Sequence, residues 1–313
     1  MAHMVETMAY AGETPWHGLG KPVHNDLTPN QMLVEAGLDW TVEKIPAFAK
    51  IGGKNVSVHK SALVRSSDNS ILDVVSSDWN PVQNTEAFEF FTDFVMEGDM
   101  EMHTAGSLRS GQIVWALAKI KDSFELFGGD RVDGYLLFTN PHRFGQCIDV
   151  RFTPIRVVCN NTLTLSLNEK NARFVKVNHR RTFDADSVKQ TLGIASKKLG
   201  SYKEMAEFLG SKRYTKDSLS EYFNGVFPVL TTKEKARKEL SKSASRALEV
   251  VDTQPGYDFA RGSWWQAYNA VTYLTDHEIG RSNDNRLTSA WFGPNSGLKV
   301  RALQSAMEFA EAA

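Results

Sequence analysis

The residues whose types and spacing suggest chemistry most clearly are basic. Arg151, Arg156, Arg173, Lys176, Arg180 and Arg181 follow one another closely, with Lys197 and Lys198 a little further on. Guanidinium and ammonium groups at this density pair with successive phosphates, so this set is the candidate nucleic-acid-binding constellation. Side chains alternate along a strand, so Arg173 and Lys176 share one face only if a bulge intervenes. Single-stranded nucleic acid also needs aromatic surfaces for base stacking, and Phe144, Phe152, Phe174, Phe183 and Tyr202 are interspersed with these bases. Asn160-Asn161-Thr162, inside an apolar run, either presents donors to phosphate or ribose or satisfies neighbouring loop backbone. Lys197 and Lys198 with Lys203, Lys212 and Arg213 form a second basic cluster, on or just after a helix. Lys233, Lys235, Arg237, Lys238 and Lys242 form a third, in which Glu234 and Glu239 interleave and favour a solvated helix face.

Other chemistries find less support, and no catalytic residue is assigned. His17 sits between Trp16 and Gly18 as either a base or a partner of its own loop. Asp276-His277 has the composition of an oriented imidazole, but adjacent helical residues point roughly 100° apart. Asp68, Asp73 and Asp78 are either oxygen ligands for magnesium or loop caps. The histidines are scattered without metal-like spacing, so no metal and no cofactor is expected. GxxxxGK[ST], HExxH, GxSxG and the deaminase signature are absent, as is a GxGxxG following a strand. Cys147 and Cys159 have no CxxC spacing, which argues against a disulfide framework and fits a reducing compartment. Trp264-Trp265 with Tyr268, Val271 and Leu274 makes a helical apolar stripe for packing or self-association.

The elements that must position these residues belong to an ordinary globular chain. Of 313 residues, 42% are hydrophobic and 23% charged, which excludes wholly disordered, collagenous and coiled-coil classes. No window approaches a membrane span, and the first residues lack the basic and apolar regions of a signal peptide, so a cytoplasmic location is expected. The net charge of -1 conceals an asymmetry. Residues 1–150 carry 11 Lys and Arg against 20 Asp and Glu, whereas residues 151–250 carry 20 against 10. The basic stretch reads either as a footprint for a polyanion or as solvated helix faces, and the polarity suits head-to-tail association into a homo-oligomer.

The pattern predicts an α+β fold, a largely antiparallel sheet packed by helices and followed by an α-rich C-terminal region. Thr28 as N-cap, Pro29 at the first turn and Gly37 beyond the end mark a short helix. Short β-type runs follow from Thr41 to Val75, then a helix over Glu86 to Glu97, then strands at 100–103, 112–120, 134–139 and 146–152. For Phe152 to Leu167, Pro154 suggests a helix while the Val and Thr content suggests a strand; a buried helix is the expectation. Ala172 to Asn178 reads as one more strand, and helices are expected over 184–209, 216–226, 232–250, 263–277 and 296–312. A soft boundary near Gly210 divides an α+β core domain, 1–210, from an α-helical region, 211–313.

Trp16-His17-Gly18-Leu19-Gly20, Arg156-Val157-Val158-Cys159-Asn160-Asn161-Thr162-Leu163, and Asn269-Ala270-Val271-Thr272 with Asp276-His277 together resemble one family. It is the set of phage- and plasmid-borne proteins carrying the domain of unknown function numbered 932. The likeness runs from the first block to Lys299-Val300-Arg301-Ala302-Leu303. It implies a mobile-element protein, often encoded among genes of DNA replication or recombination, with no accepted catalytic residues to transfer. A remote analogy to single-strand-annealing recombinases adds a sheet, a buried helix and a basic groove. The leading expectation is therefore a non-enzymatic DNA-metabolism protein that binds single-stranded DNA and promotes strand annealing without ATP. Its alternatives are a metal-dependent nuclease or nucleotide-processing enzyme, and a module that binds a host protein.

Overall fold

The computed structural model describes residues 5–12, 19–156, 161–162, 174–192, 195–229, 240–280, 286, 289–291 and 293–313. Its elements make an α+β fold: a large, mostly antiparallel sheet packed by helices, followed by an α-rich C-terminal region. The chain divides into two compact units. One comprises Met1–Lys121, Tyr135–Phe152 and Ala172–Gly193; the other comprises Asp122–Gly134, Thr153–Asn171 and Ile194–Ala313.

The strands are β1 (Val5–Ala11), β2 (Lys21–Val23), β3 (Val42–Ile51), β4 (Lys54–Arg65), β5 (Ile71–Ser76), β6 (Met100–Leu108), β7 (Ile113–Leu126), β8 (Asp130–Pro141), β9 (Ile148–Arg156), β10 (Asn161–Thr162) and β11 (Phe174–Val177). Among the described residues the larger sheet has the order β10-β9-β8-β7-β6-β1-β2, with β11 also paired to β9, and β3-β4-β5 form a separate sheet. β2 runs parallel to β1.

In the first unit, α1 (Pro29–Glu35) starts as its residues dictate. Thr28 Oγ1 accepts from the Gln31 amide, the Gln31 side chain answers the Thr28 amide, and Pro29 occupies the first turn. Gly37 closes the helix at φ +67°, a left-handed conformation that costs a glycine little. The single helix expected over 86–97 is two short ones, α2 (Asn84–Glu89) and α3 (Thr92–Met96). The interruption at Phe90 and Phe91 lets both rings reach Phe138, at 5.2 and 6.1 Å, so aromatic packing decides where the helix breaks.

In the second unit, α5 (Ala195–Ser211), α6 (Lys216–Val226), α7 (Lys242–Val250), α8 (Trp264–Tyr273) and α9 (Pro294–Glu311) enclose one core; α4 (Ala185–Leu192) belongs to the first unit. Trp264, Trp265, Tyr268, Val271 and Leu274 are all buried there, so the stripe is packing. A π-helical turn, Leu274–Glu278, follows α8 directly. The boundary expected near Gly210 falls within α5. Where the helix expected over Phe152 to Leu167 falls on described residues it is corrected: residues to Arg156 extend β9, and Asn161–Thr162 pairs antiparallel with Arg156 and Ile155, while residues 157–160 and 163–167 lie outside the described residues. β-Branched side chains and a partner strand for the backbone amides outweigh the single helix-start signal of Pro154.

Candidate nucleic-acid interface

Three segments of the first unit meet at one place: Ser76–Asn80 after β5, Pro141–Gln146 after β8, and Asn178–Arg181 after β11. Trp79, buried, stacks on His179 with ring centroids 4.0 Å apart. The Asn80 amide donates to the His179 carbonyl at 2.8 Å, and His179 Nδ1 lies 3.2 Å from the Asn80 carbonyl. A carbonyl only accepts, so Nδ1 carries the proton. Lys44 Nζ donates to the Ser77 and Trp79 carbonyls at 2.7 and 3.0 Å and braces the first segment from β3.

The second segment is fixed by His142. Its amide donates to the Gln112 carbonyl at 2.8 Å, and its Nε2 lies 3.0 Å from Asn84 Oδ1. Asn84 Nδ2 donates to the Leu38 and Trp40 carbonyls, so Oδ1 is the acceptor and His142 Nε2 is the donor. Trp40 closes the other side of the ring, edge-on at 5.5 Å, and also lies under the Arg65 guanidinium. Burial pushes the His142 imidazole down to about 3, helped by the nearby His179. Burial likewise pushes His179 down to about 4, against the Asn80 and Pro141 carbonyls, which favour the charged ring. Both histidines are therefore neutral hydrogen-bonding anchors at pH 7.

What these anchors present is basic and aromatic. Phe144 is 59% exposed, and its amide is held at 2.8 Å by the Asp73 carboxylate. Arg143 precedes it; Arg180 and Arg181 follow His179 directly and are exposed. Arg180 reaches Asp78 at 3.0 Å, an exposed pair that costs little to exchange for a phosphate.

The basic residues singled out from the sequence divide by place. Arg151 is gripped by Asp149, Nε at 2.6 Å and Nη2 at 2.5 Å, and Lys176 stands directly across from Asp149 on β11. One buried carboxylate thus sits between two of the expected phosphate ligands. Arg180 and Arg181 lie at the loop end. Arg173 lies outside the described residues, as do the side chains of Arg156, Lys197 and Lys198; the latter two belong to α5. Of the aromatics, Phe183 packs against Phe90 and Phe138, Tyr202 lies between Phe124 and Trp265 in the second unit, and Phe152 is buried. Phe144 is the one that faces solvent among those whose side chains are described; the Phe174 side chain lies outside them.

The acidic and histidine candidates have local partners. Asp68 binds Arg65 at 2.5 Å, which holds its carboxyl well below the usual carboxylate range; Asp73 caps Val74 and Phe144; Asp78 pairs with Arg180. They do not converge, and no group of His, Cys, Asp or Glu with metal-holding geometry occurs among the described residues. Asp276 is taken by Lys299 at 2.7 Å, both nearly fully buried, while His277 lies against the Tyr273 ring. The dyad suggested by their adjacency is thus replaced by a buried ion pair. His17 and Asn160 lie outside the described residues. No described helix is long and apolar enough to cross a membrane.

Sequence reading missed the anchoring role of His142 and His179. The signal present was faint: each stands directly beside a turn, at Pro141-His142-Arg143 and Asn178-His179-Arg180. In comparison with known proteins, the family profile described as "Domain of unknown function (DUF932)" matches residues 71–291. No curated protein and no solved structure matches.

Proposed function

The chain belongs to the DUF932 family, and on that premise we propose that it binds single-stranded DNA at the loop end of its first unit and promotes annealing without ATP. The observation that carries this reading is exposed Phe144, next to Arg143, on a segment that meets the one bearing Arg180 and Arg181, both locked by neutral histidines. An exposed ring stacks on any base, and guanidinium groups follow the phosphates, so the arrangement suits binding without sequence preference. Fixed backbone at each contact lowers the ordering cost of binding. Arg156, Arg173, Lys197 and Lys198 remain candidate flanking contacts, whereas Arg151 and Lys176 contribute less because Asp149 offsets them. A mobile-element role in the host cytoplasm and salt-sensitive self-association belong to the same reading.

Fluorescence anisotropy with a labelled single-stranded oligonucleotide, titrated across salt, tests the reading. Changing Arg143, Arg180 and Arg181 together to Ala should lower the magnitude of the log K against log salt slope by about 2. Phe144→Ala should weaken binding without changing that slope. Absence of binding by the unaltered protein at about 100 mM salt sinks the reading and leaves a host-protein partner as the better account.

A further inference from the structure

The β3–β4 hairpin has no place in the loop end, yet its composition is unlike that of the acidic half containing it. Between Lys44 and Lys60 the chain carries Lys44, Lys50, Lys54, His59 and Lys60 and no acidic residue. Between Val42 and Ser61 no side chain is buried. Phe48 and Ile51 are 59% and 62% exposed, and Val56 and Val58 are exposed with them. Gly52 at φ +57° and Gly53 at φ +82° make the tight turn, a conformation whose twist matches paired strands. Lys44 is bound to loop carbonyls, but Lys50, Lys54 and Lys60 have no ion-pair partner among the described residues.

The register sorts the arm into two faces. Phe48 stands across from Ser57 and Lys50 across from Asn55, so aromatic ring, ammonium, amide and hydroxyl share one face. Ala49 stands across from Val56 and Ile51 across from Lys54 on the other. A two-stranded ribbon that buries nothing is marginal in water by itself, so a partner that covers it would complete it. The absence of carboxylates points to a polyanion, and a stacking ring beside a cation and two short polar groups matches a nucleotide strand.

We propose that the β3–β4 hairpin is a second nucleic-acid-binding arm, with Phe48 stacking on a base and Lys50 meeting a phosphate on the Phe48–Lys50–Asn55–Ser57 face. The inference takes its ligand class from the reading above and adds an element that lies before the family-matched residues.

Anisotropy with a labelled oligonucleotide about 30 nucleotides long tests it across salt. Phe48→Ala should weaken binding about 10-fold, and Lys50→Ala should lower the magnitude of the salt slope by about 0.7. Ile51→Ala and Val56→Ala, also exposed but on the opposite face, should bind as the unaltered protein does. If Phe48→Ala and Lys50→Ala bind normally while the loop-end triple variant is impaired, the arm inference falls and the loop reading stands. If the loop-end variant binds normally while these two are impaired, the arm stands and the loop reading falls. Unaltered protein that binds no oligonucleotide overturns both. A change of sedimentation coefficient in Ile51→Ala or Val56→Ala, with DNA affinity untouched by Phe48→Ala, overturns the arm as a DNA contact and makes it a surface for a second copy.

Discussion

The loop end and the β3–β4 arm both expose one phenylalanine among cations, and they differ in what lies beneath. Phe144 and its arginines stand on segments anchored by buried Trp79, His142 and His179, the two histidines being hydrogen-bonded to the distant Asn84 side chain and Asn80 carbonyl. Phe48 and Lys50 stand on a ribbon with no buried side chain, held by its ladder and by a two-glycine turn. The same surface chemistry thus appears once above buried, hydrogen-bonded side chains and once on a ribbon that has none. The first should lose function when its support is removed, and the second only when its own surface is changed.

The largest effect should come from beneath the loop end. Trp79→Ala removes the ring stacked on His179 and should cost about 3–5 kcal/mol in urea denaturation. Acid tests the same support. Both histidines are neutral in the fold but titrate near 6.5 when unfolded, so their stabilisation is complete above that pH and is lost as pH falls toward their folded values of about 3 and about 4. At pH 5 each should have cost about 2 kcal/mol, and unfolding curves from pH 7 to pH 5 would show it. A flat profile would mean that water reaches these rings and that the support is not rigid.

A smaller effect is expected of Asn84→Ala, which strands the His142 Nε2–H and two carbonyls. It should cost about 1–3 kcal/mol in the same assay. Replacing His142 by Gln in that background should then recover little, because the partner amide is gone. At the other extreme, Phe48→Ala and Lys50→Ala should leave global stability within about 0.5 kcal/mol. A larger loss by thermal denaturation would show that the arm is packed after all and would erase the contrast.

Much of the fold was legible because its signals are local. Thr28, Pro29 and Gly37 delimit a helix through contacts within one turn of chain, and Gly52-Gly53 marks a hairpin by backbone conformation alone. The stretch after Phe152 misled because Pro154 is a local helix signal, whereas the antiparallel pairing of Asn161–Thr162 with Arg156 and Ile155 is a contact between separate segments. The two-helix break at Phe90 was illegible for the same reason, since Phe138 lies on another strand. The site was half legible. Arg180, Arg181 and Phe144 were among the candidates, but the basic run gave no hint that Asp149 stands between Arg151 and Lys176.

The sequence by itself determined the α+β class, the caps of the Pro29–Glu35 helix, the family and the presence of unusually basic text. Only the tertiary structure decided which cations are offset by carboxylates and which histidines are buried and neutral. The physical reason is range. His142 meets Asn84 across 58 residues and His179 meets Asn80 across 99, so protonation state and exposure depend on neighbours that composition and spacing do not specify.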